Sequence, residues 1–402
     1  MKTRIFTDEL DEAAEILKNG GLVAVPTETV YGLAGNGLDE NAVKNIYEVK
    51  GRPAIKPLSL MVHGMDCIEK YCDGVPQQAY ALAKRFWPGP LTIVLKAKSF
   101  IPSIVLAGGD TVGLRCPDHP MTLKALELSG VPFAAPSANP SGEASPKNAG
   151  KVAEYFDGKI EGIIDGGECG IGTESTLIGM AGTPYRIFRQ GALSAEDIAD
   201  ALVENMKIIG ITGPTGCGKT TALDVLREMG ALVIDCDGLY HSLLDHSTEM
   251  LAEIRESFPS AFVDGDLDRK VLGAEVFADS ARLAVLNAIT HRYVSAEVKR
   301  LLREHAMNGG TLAAIDAIEL ISSGLSKLCG VCVGVISDRE KRIERIIERD
   351  GISREYAEKR VDAQKSDDYF RRMCGIIIEN NGNYSDFKAK CKKIFTGVIK
   401  NG

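Results

Sequence analysis

Residues 213–220 read Gly-Pro-Thr-Gly-Cys-Gly-Lys-Thr, the G-x-x-x-x-G-K-[ST] spacing of a phosphate-binding loop. In that spacing Gly213, Gly216 and Gly218 let successive backbone N–H groups turn toward a phosphate chain, and the helix that follows adds partial positive charge at its start. Lys219 then reaches the β- and γ-phosphates, Thr220 and Thr221 join the nucleotide contacts, and the Thr220 hydroxyl can ligate the magnesium carried with ATP. The next apolar run ends Ile234-Asp235-Cys236-Asp237, which sets an acid opposite the same phosphates. Asp235 or Asp237 can take the proton of an attacking hydroxyl or hold the metal; the plainer alternative is an acidic cap at a strand end.

The first half of the chain carries no such loop and no nucleophilic triad. It places Lys50-Gly-Arg52-Pro53 in one turn and Pro136-Ser137-Ala-Asn139 in another. Lys and Arg two positions apart on irregular backbone can converge on one polyphosphate, and a small Ser-x-Asn turn offers hydroxyl, amide and backbone donors without bulk. Taken singly, each also reads as an ordinary solvated turn.

These residues need elements to hold them. Lys207–Ile211, the glycine loop, Lys219–Met229 and Ala231–Ile234 spell strand, loop, helix and strand, with Gly230 where a helix C-terminus wants it, so the second half is expected to carry a parallel sheet. In the first half, Gly21–Val25, Leu91–Leu95 and Ile160–Ile164 read as strands among Gly-Pro turns and helices, an α/β domain with a large sheet. The boundary falls near Asn205, giving domains 1–205 and 206–402. Up to residue 205 there are 19 basic and 26 acidic residues, and beyond it 28 and 29; the whole chain carries a net charge of -8, which argues against bulk-charge binding to nucleic acid or an anionic membrane. Ten scattered cysteines, an acidic N-terminus and the lack of an apolar run of membrane-spanning length lead us to expect reduced thiols and a cytoplasmic location. Cys329 and Cys332 spell C-x-x-C, but as i and i+3 of an apolar strand they are expected on opposite faces.

Several separated segments carry a family resemblance. Met206 to about Phe395 resembles dephospho-coenzyme A kinase through the loop, Asp235-Cys-Asp237, Asp264-Gly-Asp-Leu-Asp-Arg269, Leu286-Asn287 with His291, Arg345-Ile-Ile-Glu-Arg349, Gln364 and Asn380-Asn-Gly382. That resemblance implies a P-loop kinase fold and transfer of the γ-phosphoryl of ATP to the ribose 3′-hydroxyl of dephospho-coenzyme A. It gives Asp237 the role of base, and Arg345 and Arg349 that of neutralising the moving phosphoryl from a lid. The chain departs from the family where Asp316-Ala-Ile-Glu-Leu-Ile-Ser322 replaces a D-x-P-L-L-F-E pattern, and at His241, Arg292 and Cys374-Gly375.

Residues 1 to about 205 resemble the YrdC/Sua5 family of threonylcarbamoyl-AMP synthases. The motifs are Val25-Pro-Thr-Glu-Thr-Val-Tyr-Gly-Leu33, Lys50-x-Arg52, Val112-Gly-Leu-Arg115-Cys-Pro-Asp-His119-Pro120, Ser137-x-Asn139, Thr173-Glu-Ser-Thr176 and Arg189-Gln-Gly191. The resemblance implies a twisted mixed sheet around a basic cavity, and condensation of L-threonine and bicarbonate to a carbamate that attacks the α-phosphorus of ATP. The threonylcarbamoyl adenylate would serve modification of adenosine 37 of tRNA through downstream transfer proteins, with no tight nucleic-acid binding by this chain. On this pattern Lys50, Arg52, Ser137 and Asn139 hold phosphates, and Thr29, Arg115 and Ser175 hold threonine. Thr111, Ser145, Arg189 and Lys56 lie on the nucleotide side, and Met61 stands where many relatives have His. The competing reading is an N-terminal RNA-binding module joined to a nucleotide-sensing or altered-acceptor kinase domain.

Overall fold

The structure, a computed structural model, describes residues 2–401. The chain divides into two compact units, one of residues up to Asn205 with Met307–Gly309, the other of Met206–Ala306 with residues from Gly310 onward.

In the first unit short apolar runs form ten strands: β1 Arg4–Phe6, β2 Val23–Val25, β3 Gly32–Asn36, β4 Ser59–Met61, β5 Leu91–Lys96, β6 Thr111–Arg115, β7 Phe133–Ala134, β8 Gly162–Ile164, β9 Thr176–Gly179 and β10 Arg186–Arg189. They make one mixed sheet in the order β1-β8-β2-β3-β7-β4-β6-β5-β9-β10. Every residue of β2 and β8 is buried, as expected of strands covered on both faces. The parallel pairing of β4 with β6 sets Met61 beside Arg115, and the parallel pairing of β5 with β9 sets Leu91 beside Thr176. One end of the sheet thereby collects the motifs.

The helix Glu40–Lys50 shows how the sequence aims one of them. Asp39 caps its start by accepting from the Asn41 N–H at 2.9 Å. Its apolar stripe runs Ala42, Val43, Ile46, Tyr47, and one turn further the same stripe reaches Lys50, which is therefore buried. Gly51, at φ 61, ends the helix in the left-handed region and swings Arg52 away from that stripe.

In the second unit β11 Lys207–Thr212, β12 Leu232–Asp235, β15 Leu312–Asp316, β16 Val331–Ile336 and β17 Ile376–Glu379 form an all-parallel sheet ordered β12-β15-β11-β16-β17, and β13 Phe262–Val263 with β14 Asp266–Leu267 make a separate hairpin. One face buries Ile209, Ile211, Val333, Val335 and Ile378 against the helices Lys219–Glu228 and Tyr384–Asn401. Register sets Asp235 beside Asp316 and Asp316 beside Ile211, so the carboxyl ends of two strands, β12 and β15, present acids next to the glycine loop that follows β11.

The C-x-x-C pair differs from expectation. Cys329 lies outside β16, at the end of the one-turn helix Leu325–Leu328, so strand alternation does not govern it and its thiol meets that of Cys332. All ten cysteines are free. Among the described residues no helix is long and apolar enough to cross a membrane.

Candidate functional sites

A cavity of about 180 Å³ in the first unit is lined by Arg52, Arg115, Ser137, Ser175 and Arg189, together with Met61, Thr92 and Glu174. Each guanidinium is held from behind. Arg52 donates to the carbonyls of Lys56 (3.3 Å) and Pro57 (3.0 Å). Arg115, buried, pairs with Glu28 at 2.7 Å and donates to the Thr29 hydroxyl at 2.8 Å and the Gly89 carbonyl at 3.3 Å. Arg189 donates to the Ser175 carbonyl (2.9 Å) and hydroxyl (3.0 Å) and pairs with Glu174 at 3.0 Å. Burial lowers the pKa of Arg52 and of Arg189, with Arg189 adding to the effect on Arg52 and Arg115 to that on Arg189. Three guanidiniums gathered at one cleft, two of them steadied by acids, form a receptor for anions.

Lys50 stands behind this wall. Its ammonium donates to the carbonyls of Ser137 and Asn139, tying one turn to the other, and burial together with Arg52 lowers its pKa to about 8. The Asn139 amide donates to the Pro140 (2.9 Å) and Glu143 (2.7 Å) carbonyls, while its buried Oδ1 has no partner.

In the second unit the glycine loop wraps the start of the helix Lys219–Glu228. Gly218 has φ 101, and a Cβ there would collide with the Asn380 amide, so both conformation and packing demand glycine. Lys219 donates to the Gly213 carbonyl at 2.9 Å. Asp235 caps the helix Cys236–His246 by accepting from the N–H groups of Asp237 (3.0 Å) and Gly238 (3.1 Å). Asp237 is free of that duty and lines a cavity of about 390 Å³ with Tyr240, His241, Phe277, Asn287 and His291. Burial, then Asp235, raises the Asp237 carboxyl above its usual range. Asp316 is pushed up to about 6 by burial with Asp235 and Asp237 adding and Lys219 opposing, and its buried Oδ1 has no hydrogen-bond partner. An orphaned carboxylate oxygen beside the Thr220-bearing loop suits a hard, oxygen-seeking cation.

Residues 15–191 match the Sua5_yciO_yrdC family model, described as telomere recombination, and residues 207–386 match that of dephospho-CoA kinase. The putative threonylcarbamoyl-AMP synthase of Methanocaldococcus jannaschii is 37% identical over 196 residues, 48% of this chain and 92% of that one. The dephospho-CoA kinase of Corynebacterium glutamicum is 33% identical over 192 residues, 47% of this chain and 98% of that one. The chain belongs to both families. Its synthase half is also 50% identical over 204 residues to the threonylcarbamoyl-AMP synthase of Pyrococcus abyssi, 51% of this chain and 60% of that protein. The chain thus spans about three fifths of that relative's length.

In the synthase half, the residues expected from sequence are only partly brought together. Arg52, Ser137, Arg115, Ser175 and Arg189 share the cavity, with Thr29 directly behind Arg115. Arg52 lines the cavity and Lys50 lies buried behind it, because the helix stripe buries Lys50 and Gly51 redirects Arg52. Ser145 donates to Glu174 at 3.1 Å, at the cavity's edge. Lys56 is exposed and contributes its carbonyl to Arg52. Thr111 begins β6 while Arg115 ends it, about 13 Å apart at the usual strand rise. Sequence reasoning missed Glu28 and Glu174, both inside quoted motifs; an acid flanked by hydroxyl residues was the available signal.

In the kinase half Arg345 reaches the loop, donating to the Gly216 carbonyl at 3.1 Å, but Arg349 does not: it forms a two-pronged pair with the adjacent Asp350, at 2.7 and 3.0 Å. The missed residue is Arg342, and Gln364 was quoted for the resemblance without a site role. Arg342, buried, donates to the Thr215 carbonyl at 3.0 Å and to Gln364 at 2.7 Å, and Gln364 accepts from the Thr215 N–H at 2.9 Å. Asp316 was quoted as a family acid without a site role, although an acid closing an apolar strand next to the loop's own strand marks it.

Proposed function

We propose that the chain is a bifunctional enzyme, a threonylcarbamoyl-AMP synthase in its first half and a dephospho-coenzyme A kinase in its second. The carrying observation is the pair of separate anion receptors, one of three guanidiniums in a hydroxyl-lined cleft and one of backbone N–H groups with Lys219.

In the synthase half Arg115, oriented by Glu28, Thr29 and Gly89, takes the carboxylate of L-threonine through its remaining Nη1 hydrogens, with Ser175 beside it. Threonine's nitrogen and bicarbonate form a carbamate with loss of water. A carbamate oxygen attacks the α-phosphorus of ATP and pyrophosphate leaves. Arg52 and Arg189 gather the negative charge that builds on the phosphates, and the Lys50 bridge keeps the Ser137 turn fixed against them. No side-chain nucleophile is needed; positioning and electrostatics account for the catalysis.

In the kinase half Asp237 accepts the proton of the ribose 3′-hydroxyl as that oxygen bonds to the γ-phosphorus and ADP leaves. Its raised pKa makes it a better base than an exposed carboxylate. Lys219 and Arg345 stabilise the transferring phosphoryl. Thr220 and Asp316 would hold magnesium, which supplies charge neutralisation on the phosphate oxygens.

A substrate-omission assay on the full chain tests both halves. Pyrophosphate release must require threonine and bicarbonate, and ADP formation must require dephospho-coenzyme A. Pyrophosphate release indifferent to threonine, or ADP formation indifferent to the acceptor, overturns the corresponding assignment.

A further inference from the structure

The Cys329–Cys332 pair has no part in either reaction. Cys332 is the second residue of β16, and register sets it beside Gly210 of β11. A Cβ on Gly210 would lie 2.8 Å from the Cys329 sulfur. The bare Cα of Gly210 thus leaves the pocket in which the two thiols meet, and both residues remain partly exposed. Cys329 is anchored by a contact from its sulfur to the Leu325 carbonyl at 3.6 Å. Its thiol lies close to that of Cys332, and this proximity lowers the pKa of Cys332 and raises that of Cys329. The buried thiols Cys236 and Cys374 are the other titratable groups acting on the pair. One sulfur biased toward thiolate, a second that holds its proton, a reach of three residues and access from solvent are the requirements of a reactive dithiol.

We propose that Cys329 and Cys332 form a thiol–disulfide exchange site for low-molecular-weight disulfides. The Cys332 thiolate attacks one sulfur of a small disulfide, whose S–S bond breaks as one small thiolate leaves. Cys329 then gives up its proton and attacks the Cys332 sulfur of the mixed disulfide, expelling the second small thiolate. The protein loses two electrons and two protons; the small disulfide gains them as two thiols.

The test uses the full chain, glutathione disulfide at neutral pH, and alkylation followed by tryptic peptide mass spectrometry under non-reducing conditions. Cleavage after Lys327 and Arg339 releases residues 328–339, which contain these two cysteines and no other. The expected product is that peptide unalkylated and lighter by two hydrogens, with the other eight thiols of the native chain unreacted. Cys329→Ser should trap a glutathione adduct on Cys332, and brief alkylation of wild type should label Cys332 about tenfold faster than any other cysteine. Recovery of the wild-type peptide with both cysteines alkylated after the disulfide treatment overturns the proposal, as does an adduct confined to Cys329. The wild-type measurement stands even if the serine variant does not fold.

Discussion

The two anion receptors are built by opposite means. In the kinase half the cradle lies within eight consecutive residues, and its backbone turns at Gly213, Gly216 and Gly218, each with positive φ, so its orientation is set locally. In the synthase half the charge sits on Arg52, Arg115 and Arg189, brought from different strands and turns, and each guanidinium needs its own supporting acid, hydroxyl or carbonyl. A backbone receptor carries its orientation in local conformation. A side-chain receptor borrows it from partners far along the chain: Glu28 and Arg115 are 87 positions apart, as are Lys50 and Ser137.

That contrast predicts where each site breaks. The largest effect should come from Lys219→Ala, which removes the loop's one mobile charge: ADP formation should fall by about 10³-fold while threonine-dependent pyrophosphate release stays within about twofold, read by separate ADP and pyrophosphate assays. Equal losses of both products would deny that the receptors are separate.

Arg115→Ala should reduce threonine-dependent pyrophosphate release by about 10²-fold or more, mostly through KM for threonine. Glu28→Gln, which leaves the guanidinium but loosens its support, should cost about tenfold, with the kinase reaction unaffected. An unchanged Glu28→Gln enzyme would show that Arg115 needs no orienting acid.

Asp316→Asn should separate function from stability. A carboxyl raised in the fold from 3.8 to about 6 binds more protons folded than unfolded between those values, so it stabilises relative to neutral pH only in acid and burdens the fold above pH 6. The variant should therefore be more resistant to urea than wild type at pH 7, with the advantage shrinking toward pH 4, while ADP formation drops. Denaturation at several pH values, run beside the ADP assay, checks both signs; a variant less stable at pH 7 would contradict them.

The smallest effect concerns Lys50. Its pKa, lowered from 10.5 to about 8 by burial, means that the unfolded chain binds the extra proton between those values, so wild-type stability should rise relative to Lys50→Met as pH climbs from 8 toward 10.5. A flat difference across that window would place the ammonium in solvent instead of between the two turns.

Much of the fold was legible, for a physical reason that also marks the limit. The apolar runs at Val23–Val25, Leu91–Lys96 and Lys207–Thr212 became strands because short β-rich segments between glycine and proline have few other ways to bury themselves. Arg349 was given the moving phosphoryl by the family resemblance, yet the neighbouring Asp350 within reach takes its guanidinium. The Cys329–Cys332 geometry was misread because the strand starts at Val331, three residues after the apolar run Leu328–Ile336 begins.

By itself the amino-acid sequence determined the phosphate loop, which depends on eight consecutive residues, and the resemblance to two families, which is carried by short motifs each local in the chain. Only the tertiary structure decided that Lys50 donates to two carbonyls of the Ser137 turn, that Glu28 and Glu174 stand behind the arginines, and that Asp316 keeps an unpaired oxygen beside the loop. Those outcomes depend on sheet register and on which buried polar atoms find partners, and both are settled only when segments distant along the chain pack together.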